Sequence, residues 1–197
     1  MSLLDLEYDD PNSLVDDIKE MMPIMDAVIE DVGLSNDVAM QSIRAGISPH
    51  IALGLSSDHL DAIFASGLNY MRSGEVVMAQ TVFVKLVTLK EIDYRFWYAL
   101  GTTLQIQGQL AEAARAYLMS LSLRATDVDG YLRLGECLLA AGEIENALGS
   151  FETAYALCDD GHGQDDQKNV AERLAAHARE RMKTESARAT ETAMERN

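Results

Sequence analysis

Glycine recurs in this 197-residue chain at a fixed spacing of 34: Gly67, Gly101 and Gly135 form one column, and Gly74, Gly108 and Gly142 a second. Ala79, Ala113 and Ala147 make a third column, and Phe83, Tyr117 and Phe151 a fourth, all in one register. A period of that length makes each unit one supersecondary element that buries its apolar side against the next copy. With the units taken as 60–93, 94–127 and 128–161, the glycine at position 8 and the alanine at position 20 fall where two antiparallel helices, A and B, cross. Only small side chains let the two backbones approach there. Bulky residues fill the space around them: Ile63, Trp97 and Tyr131 at position 4, Tyr70, Leu104 and Leu138 at position 11, and the aromatic at position 24. The second glycine, at position 15, ends helix A in the left-handed region and admits a tight turn. The turns between units fall on Lys90-Glu91, Ala125-Thr126 and Asp159-Asp160.

The period, the pairs Leu100-Gly101 and Leu134-Gly135, the small residue and the aromatic four places after it resemble the tetratricopeptide repeat. The resemblance implies an all-α solenoid of three helix-turn-helix repeats, a scaffold for binding. Composition agrees with a soluble, mostly helical, single-domain protein, since the chain holds only 3 Pro and none after residue 49. The 2 Cys, Cys137 and Cys158, have no metal-ligand spacing and read as reduced structural thiols. Met1 to Asp10 carries acids where a secretory signal has Lys or Arg, and no apolar run reaches the length of a membrane span, so a cytoplasmic protein is expected.

The net charge of −16 is unevenly spread: residues 1–59 hold 12 acids against 2 bases. Such a chain repels phosphate backbones, which makes nucleic acid and anionic membrane poor partners. Within the acidic stretch, Leu14, Ile18, Met21, Met25, Val28 and Val32 are spaced 4, 3, 4, 3, 4 and draw an apolar seam down one side of a helix, with a kink or break expected at Pro23. The seam either packs on the chain's own repeats or pairs two chains as a dimer. A short helix is expected from Asn36 to Ala45, and a loop from Gly46 to Ser57, with Ser56 or Ser57 capping the first repeat. Residues 1–59 thus form an acidic N-terminal helical segment. After the third repeat, a polar loop leads to a capping helix from about Lys168 to Met182, with Val170, Leu174, His177, Ala178 and Met182 on its apolar face. Residues 184–197 are expected to be disordered or loosely helical.

Catalytic readings fail. The four His residues, at 50, 59, 162 and 177, share no ligand spacing on a helix. No nucleophile elbow, phosphate loop or dinucleotide fingerprint occurs, so no enzyme, metal or cofactor is expected. Function then belongs to the inner wall built by the A helices, at positions 2, 5, 9, 12 and 13. That wall reads Phe64, Leu68, Met71 and Arg72 in the first repeat, Arg95, Tyr98, Thr102, Gln105 and Ile106 in the second, and Asp129, Leu132, Glu136, Leu139 and Ala140 in the third. Phe64 and Leu68 stand where carboxylate-clamp repeats need Lys and Asn, so an extended peptide with apolar anchors is the expected ligand.

Three segments carry a closer likeness: Asp93-Tyr-Arg-Phe-Trp-Tyr-Ala-Leu-Gly-Thr-Thr-Leu-Gln-Ile-Gln-Gly108, the run Glu136-Cys137-Leu138-Leu139 with Gly142-Glu143, and Ile47-Ser48 through Ser57-Asp58-His59-Leu60. Over about residues 40–158 the chain resembles the class II chaperones of type III secretion translocators, the SycD/LcrH family. The resemblance implies a bacterial cytoplasmic chaperone that holds hydrophobic translocator subunits before export. It implies that Phe64, Leu68, Met71 and Tyr98 line pockets for a short extended segment, and that the N-terminal seam makes a homodimer. A tetratricopeptide adaptor for a cytoplasmic complex, or a chaperone of needle or filament subunits, is the alternative.

Overall fold

The computed structural model describes the backbone of residues 41–43 and 45–195, and side chains as far as residue 187. The seam from Leu14 to Val32, and most of the helix expected from Asn36 to Ala45, lie outside the described residues; 41–43 are helical. The regular elements described are all helices: α1 (Pro49–Ala52), α2 (Ser57–Arg72), α3 (Val76–Leu89), α4 (Tyr94–Ile106), α5 (Leu110–Leu123), α6 (Val128–Ala140), α7 (Ile144–Asp159) and α8 (Asp165–Glu195). Where composition suggests one domain, the chain divides into two compact units, with the boundary inside α4 between Phe96 and Trp97.

The first unit contains α1 to α3 and the first turn of α4. Ser56 caps α2: its hydroxyl accepts from the His59 N–H at 3.3 Å, while the Ser56 N–H donates to His59 Nδ1 at 3.2 Å. A histidine thus completes a reciprocal capping box in the place usual for Glu or Gln. The stretch from Gly46 to Ser57, expected as a loop, contains the single turn α1. Pro49 presets its first position. Ser48 Oγ donates to the Leu89 carbonyl at 3.3 Å and His50 Nδ1 lies 3.1 Å from the same oxygen, so the turn is tied to the end of α3.

Both glycine columns do what their spacing demands. A Cβ on Gly67 would sit 2.6 Å from Phe83 Cε1, and one on Gly101 2.9 Å from the Tyr117 ring; on Gly135 it would overlap the ring of Phe151. Phe83, Tyr117 and Phe151, together with Ala79, Ala113 and Ala147, are completely buried. Each repeat therefore seats its helix-B aromatic on bare helix-A backbone. At the second column, Gly74, Gly108 and Gly142 have φ of 82°, 76° and 86°. The next residue in each case donates its N–H to the carbonyl five places back, Glu75 to Tyr70, Gln109 to Leu104 and Glu143 to Leu138, at 2.8, 2.9 and 2.9 Å. This is the Schellman ending, and it makes the A-to-B turn alike in all three repeats.

In the second unit α8 packs along α7 as a cap on the third repeat. It begins at Asp165 and continues as one helix through Glu195, well past the expected end at Met182. Its buried face is Ala171, Ala175 and Ala178, whereas His177 and Met182 are exposed. Small side chains bring α8 close enough for Arg181 to donate to the Leu139 carbonyl at 3.2 Å and for Arg179 to pair with Glu152 at 2.7 Å. Lys168 pairs with Asp159. Cys137 is buried and Cys158 half-buried, both as free thiols. Burial pushes the Cys137 thiol up to about 11 from 9.0. The folded chain keeps that proton where the unfolded chain has lost it, so this group lowers stability as pH rises from 9 towards 11. Among the described residues no cluster of His, Cys, Asp or Glu is placed to hold a metal, and no helix is long and apolar enough to cross a membrane.

Candidate peptide-binding faces

In the first unit, Phe64, Leu68 and Met71 follow one another along α2 at spacings of 4 and 3, and all three are half-buried. The Phe64 ring lies 5.6 Å from that of Phe83 and 5.4 Å from that of Phe96. The Arg95 guanidinium stands over both Phe64 and Phe96, at 5.6 and 5.5 Å from the ring centres. Asp93 holds that guanidinium in a fork, Nε to Oδ1 at 3.0 Å and Nη2 to Oδ2 at 2.8 Å, and Asp61 takes a further ion pair at 3.0 Å. Burial works against the Asp93 carboxylate, but the Arg95 bonds outweigh it and hold its pKa below the ordinary value. The same bond to Asp93 raises the pKa of Arg95. Stability from this pair is therefore lost as pH falls into the acid range. Two of the predicted ligand-facing residues, Phe64 and Arg95, thus form one aromatic and cationic cluster.

The second unit presents a different surface. Tyr98, Thr102 and Gln105 share one face of α4, and Ile106, at the end of the helix, is 58 % exposed. Gln105 Nε2 donates to Glu136 Oε2 on α6 at 3.0 Å. The Tyr117 hydroxyl emerges from the core between α4 and α5 to donate to Gln105 Oε1 at 2.8 Å and lies 3.3 Å from Thr102 Oγ1. Arg133 Nη1 donates to the same Glu136 oxygen at 3.0 Å. Tyr98 closes the ring of contacts, bonded to Arg133 and packed edge-on against Tyr117 at 5.6 Å. Burial raises the pKa of both phenols, so both stay protonated; the Tyr117 hydroxyl donates to Gln105, and the Tyr98 oxygen accepts from Arg133.

This arrangement corrects part of the expectation. An extended peptide with apolar anchors is the expected ligand, yet in this unit the wall is a polar ring beside one exposed aliphatic. Leu132, expected on the wall, is 7 % exposed and belongs to the core. Its turn of α6 faces inwards, as do Val128 and Gly135. Asp129 is exposed, but its Oδ1 accepts from Gln167 of α8 at 2.8 Å, which ties it to the cap. Leu139 is half-buried beneath the Arg181 contact. Two members of the ring stand outside the positions that helical periodicity turns inwards. Arg133 occupies position 6, not an inward position, and its only signal was the i,i+3 spacing to Glu136. Tyr117 belongs to the core column, and the hydroxyl it adds where the other repeats have Phe is the sequence signal for its part in the ring.

No protein-family model matches the chain. It is 30 % identical over 124 residues to the low calcium response locus protein H of Yersinia pestis, spanning 62 % of this chain and 74 % of that one. The chain belongs to the LcrH/SycD family of type III secretion chaperones. Among solved members, PcrH of Pseudomonas aeruginosa with the chaperone-binding region of PopD is 29 % identical, with a TM-score of 0.56 over 69 % of this chain and 97 % of PcrH. Yersinia enterocolitica SycD with a peptide of the translocator YopD is 27 % identical, with a TM-score of 0.59 over 66 % of this chain and 97 % of SycD. The helical-repeat architecture is therefore shared with LcrH/SycD chaperones.

Proposed function

We propose that this LcrH/SycD-family chain is a cytoplasmic chaperone of a bacterial type III secretion system. It holds an extended segment of a hydrophobic translocator on the faces of its A helices and so keeps the translocator soluble before export. The observation that carries this reading is that SycD and PcrH, which share the chain's fold, each hold a translocator segment. Phe64, Leu68 and Met71 offer apolar contact in the first unit, and Ile106 offers it in the second. Two or three aliphatic anchors contribute about 1.5–3 kcal/mol each. Association costs several kcal/mol, so these anchors alone leave an affinity no tighter than roughly sub-millimolar for a short segment, and further contacts along the client add to it. That strength suits a client that must be released, and the process needs no catalytic step and no cofactor.

Coexpression tests the reading. A translocator made alone is expected in the pellet or membrane fraction, because its apolar segments seek burial. Made with this chain, it is expected to copurify as a soluble complex of fixed stoichiometry. A translocator that stays insoluble in the presence of the chain would remove the proposal.

The seam from Leu14 through Ile18, Met21, Met25 and Val28 to Val32 is assigned to dimerisation, in keeping with the dimers that SycD forms. Sedimentation of the full chain is expected to give a dimer. The double variant Met25→Glu and Val28→Glu is expected to give a soluble monomer, since unpaired carboxylates are costly to bury in a seam. A wild-type monomer at micromolar concentration would exclude this assignment.

A further inference from the structure

The polar ring of the second unit is not what a purely apolar peptide wall requires. An extended segment, unlike a helix, presents an N–H and a C=O at nearly every residue with no internal partner. Pressing such a segment onto aliphatic side chains alone strips those groups of water and gives nothing back. Glu136 and Arg133 supply what is missing. They are an acceptor and a donor held 3.0 Å apart, with 34 % and 48 % of their side chains still open to solvent.

Their positions are set by neighbours and not by their own rotamers. Gln105 reaches from α4 to hold Glu136 on α6, the Tyr117 hydroxyl holds Gln105, and Tyr98 sits between Tyr117 and Arg133. The pair is thereby ordered before any client arrives, which removes an entropic cost from binding. We propose that Glu136 and Arg133 read the main chain of the bound segment, the carboxylate accepting a peptide N–H and the guanidinium donating to a peptide carbonyl. Gln105, Tyr98 and Tyr117 are positioning residues. The inference rests on the reading that a translocator segment lies on this face. It adds a division of labour: apolar contacts select side chains, whereas this pair selects extended conformation whatever the side chains are. The competing account is that the ring is only a staple between α4 and α6.

Short overlapping peptides tiled across the PopD and YopD regions bound by PcrH and SycD serve as probes, with affinity read by fluorescence anisotropy. In the tightest binder each peptide bond is N-methylated in turn, which removes one donor and leaves the side chains intact. One position is expected to lose about tenfold in affinity for the wild-type chain and to lose almost nothing further against Glu136→Ala. Glu136→Gln, which keeps a neutral acceptor and the bond to Gln105, is expected to retain part of that coupling, with circular dichroism unchanged in both variants. If every N-methyl position costs the same in the wild type and in Glu136→Ala, the ring is a staple and the inference is overturned. Coupling of Glu136 to a basic side chain of the peptide, and not to a peptide bond, also overturns it. If no tiled peptide binds the wild-type chain, the translocator reading itself fails and takes the inference with it.

Discussion

Gly135→Val is expected to destabilise the second unit by roughly 3 kcal/mol. The new side chain has no room, because even a Cβ at this position overlaps the ring of Phe151, which is wholly buried and cannot swing aside without opening the third repeat. A loss of that size lowers the melting temperature by about 6–12 °C for a chain of this length. Gly149→Ala supplies the control. Gly149 is an exposed mid-helix residue of α7 whose Cβ would meet nothing within 4 Å. There the substitution restricts only the unfolded chain and is expected to stabilise by about 0.5–1 kcal/mol. Thermal unfolding followed by circular dichroism separates the two cases. Similar melting temperatures for both variants would mean that the 34-residue glycine column is not a packing constraint.

Ile106→Asp is expected to leave melting unchanged while weakening translocator binding by about ten- to a hundredfold. The separation follows from exposure: at 58 % exposed, Ile106 gives little to the fold, and an apolar anchor gains most of its burial only when a client covers it. Phe64→Ala is the contrasting variant. Phe64 packs on Phe83 and Phe96 and carries Arg95 over its face, so its truncation is expected to cost binding and also about 3 kcal/mol of stability in the first unit. Binding isotherms paired with melting curves decide the matter. Full affinity in Ile106→Asp would remove this residue from the binding face.

Much of the repeat architecture was legible because it is written in backbone constraints. A left-handed residue at position 15 and a missing side chain at position 8 are demands that glycine meets at least cost, and they repeat three times. The cap on α2 was equally local, since Ser56 lies just before an apolar periodic run. The capping helix α8 was legible only in outline. Its expected apolar face contained His177 and Met182, but the packed face is a row of alanines, because closeness and not hydrophobicity set the contact with α7. Helical spacing gives the pitch of a face; it does not say which face a neighbour with small residues will select.

The candidate site divides along the same line. Residue types at inward positions gave Phe64, Tyr98, Gln105, Ile106 and Glu136 their place on the A helices, since 3.6-residue periodicity fixes direction from a helix axis. Leu132 went wrong because α6 turns that edge into the core. The closure of the polar ring has no local signal, as Gln105 and Glu136 are 31 residues apart and meet only when two A helices lie side by side. The sequence by itself determined the period, the hairpin turns and the seats of the three aromatics, because each rests on a local steric rule. Only the tertiary structure decided that a carboxylate and a guanidinium, Glu136 and Arg133, stand braced together on one face of the second unit. Hydrogen bonds between distant residues depend on ångström distances that no local rule supplies.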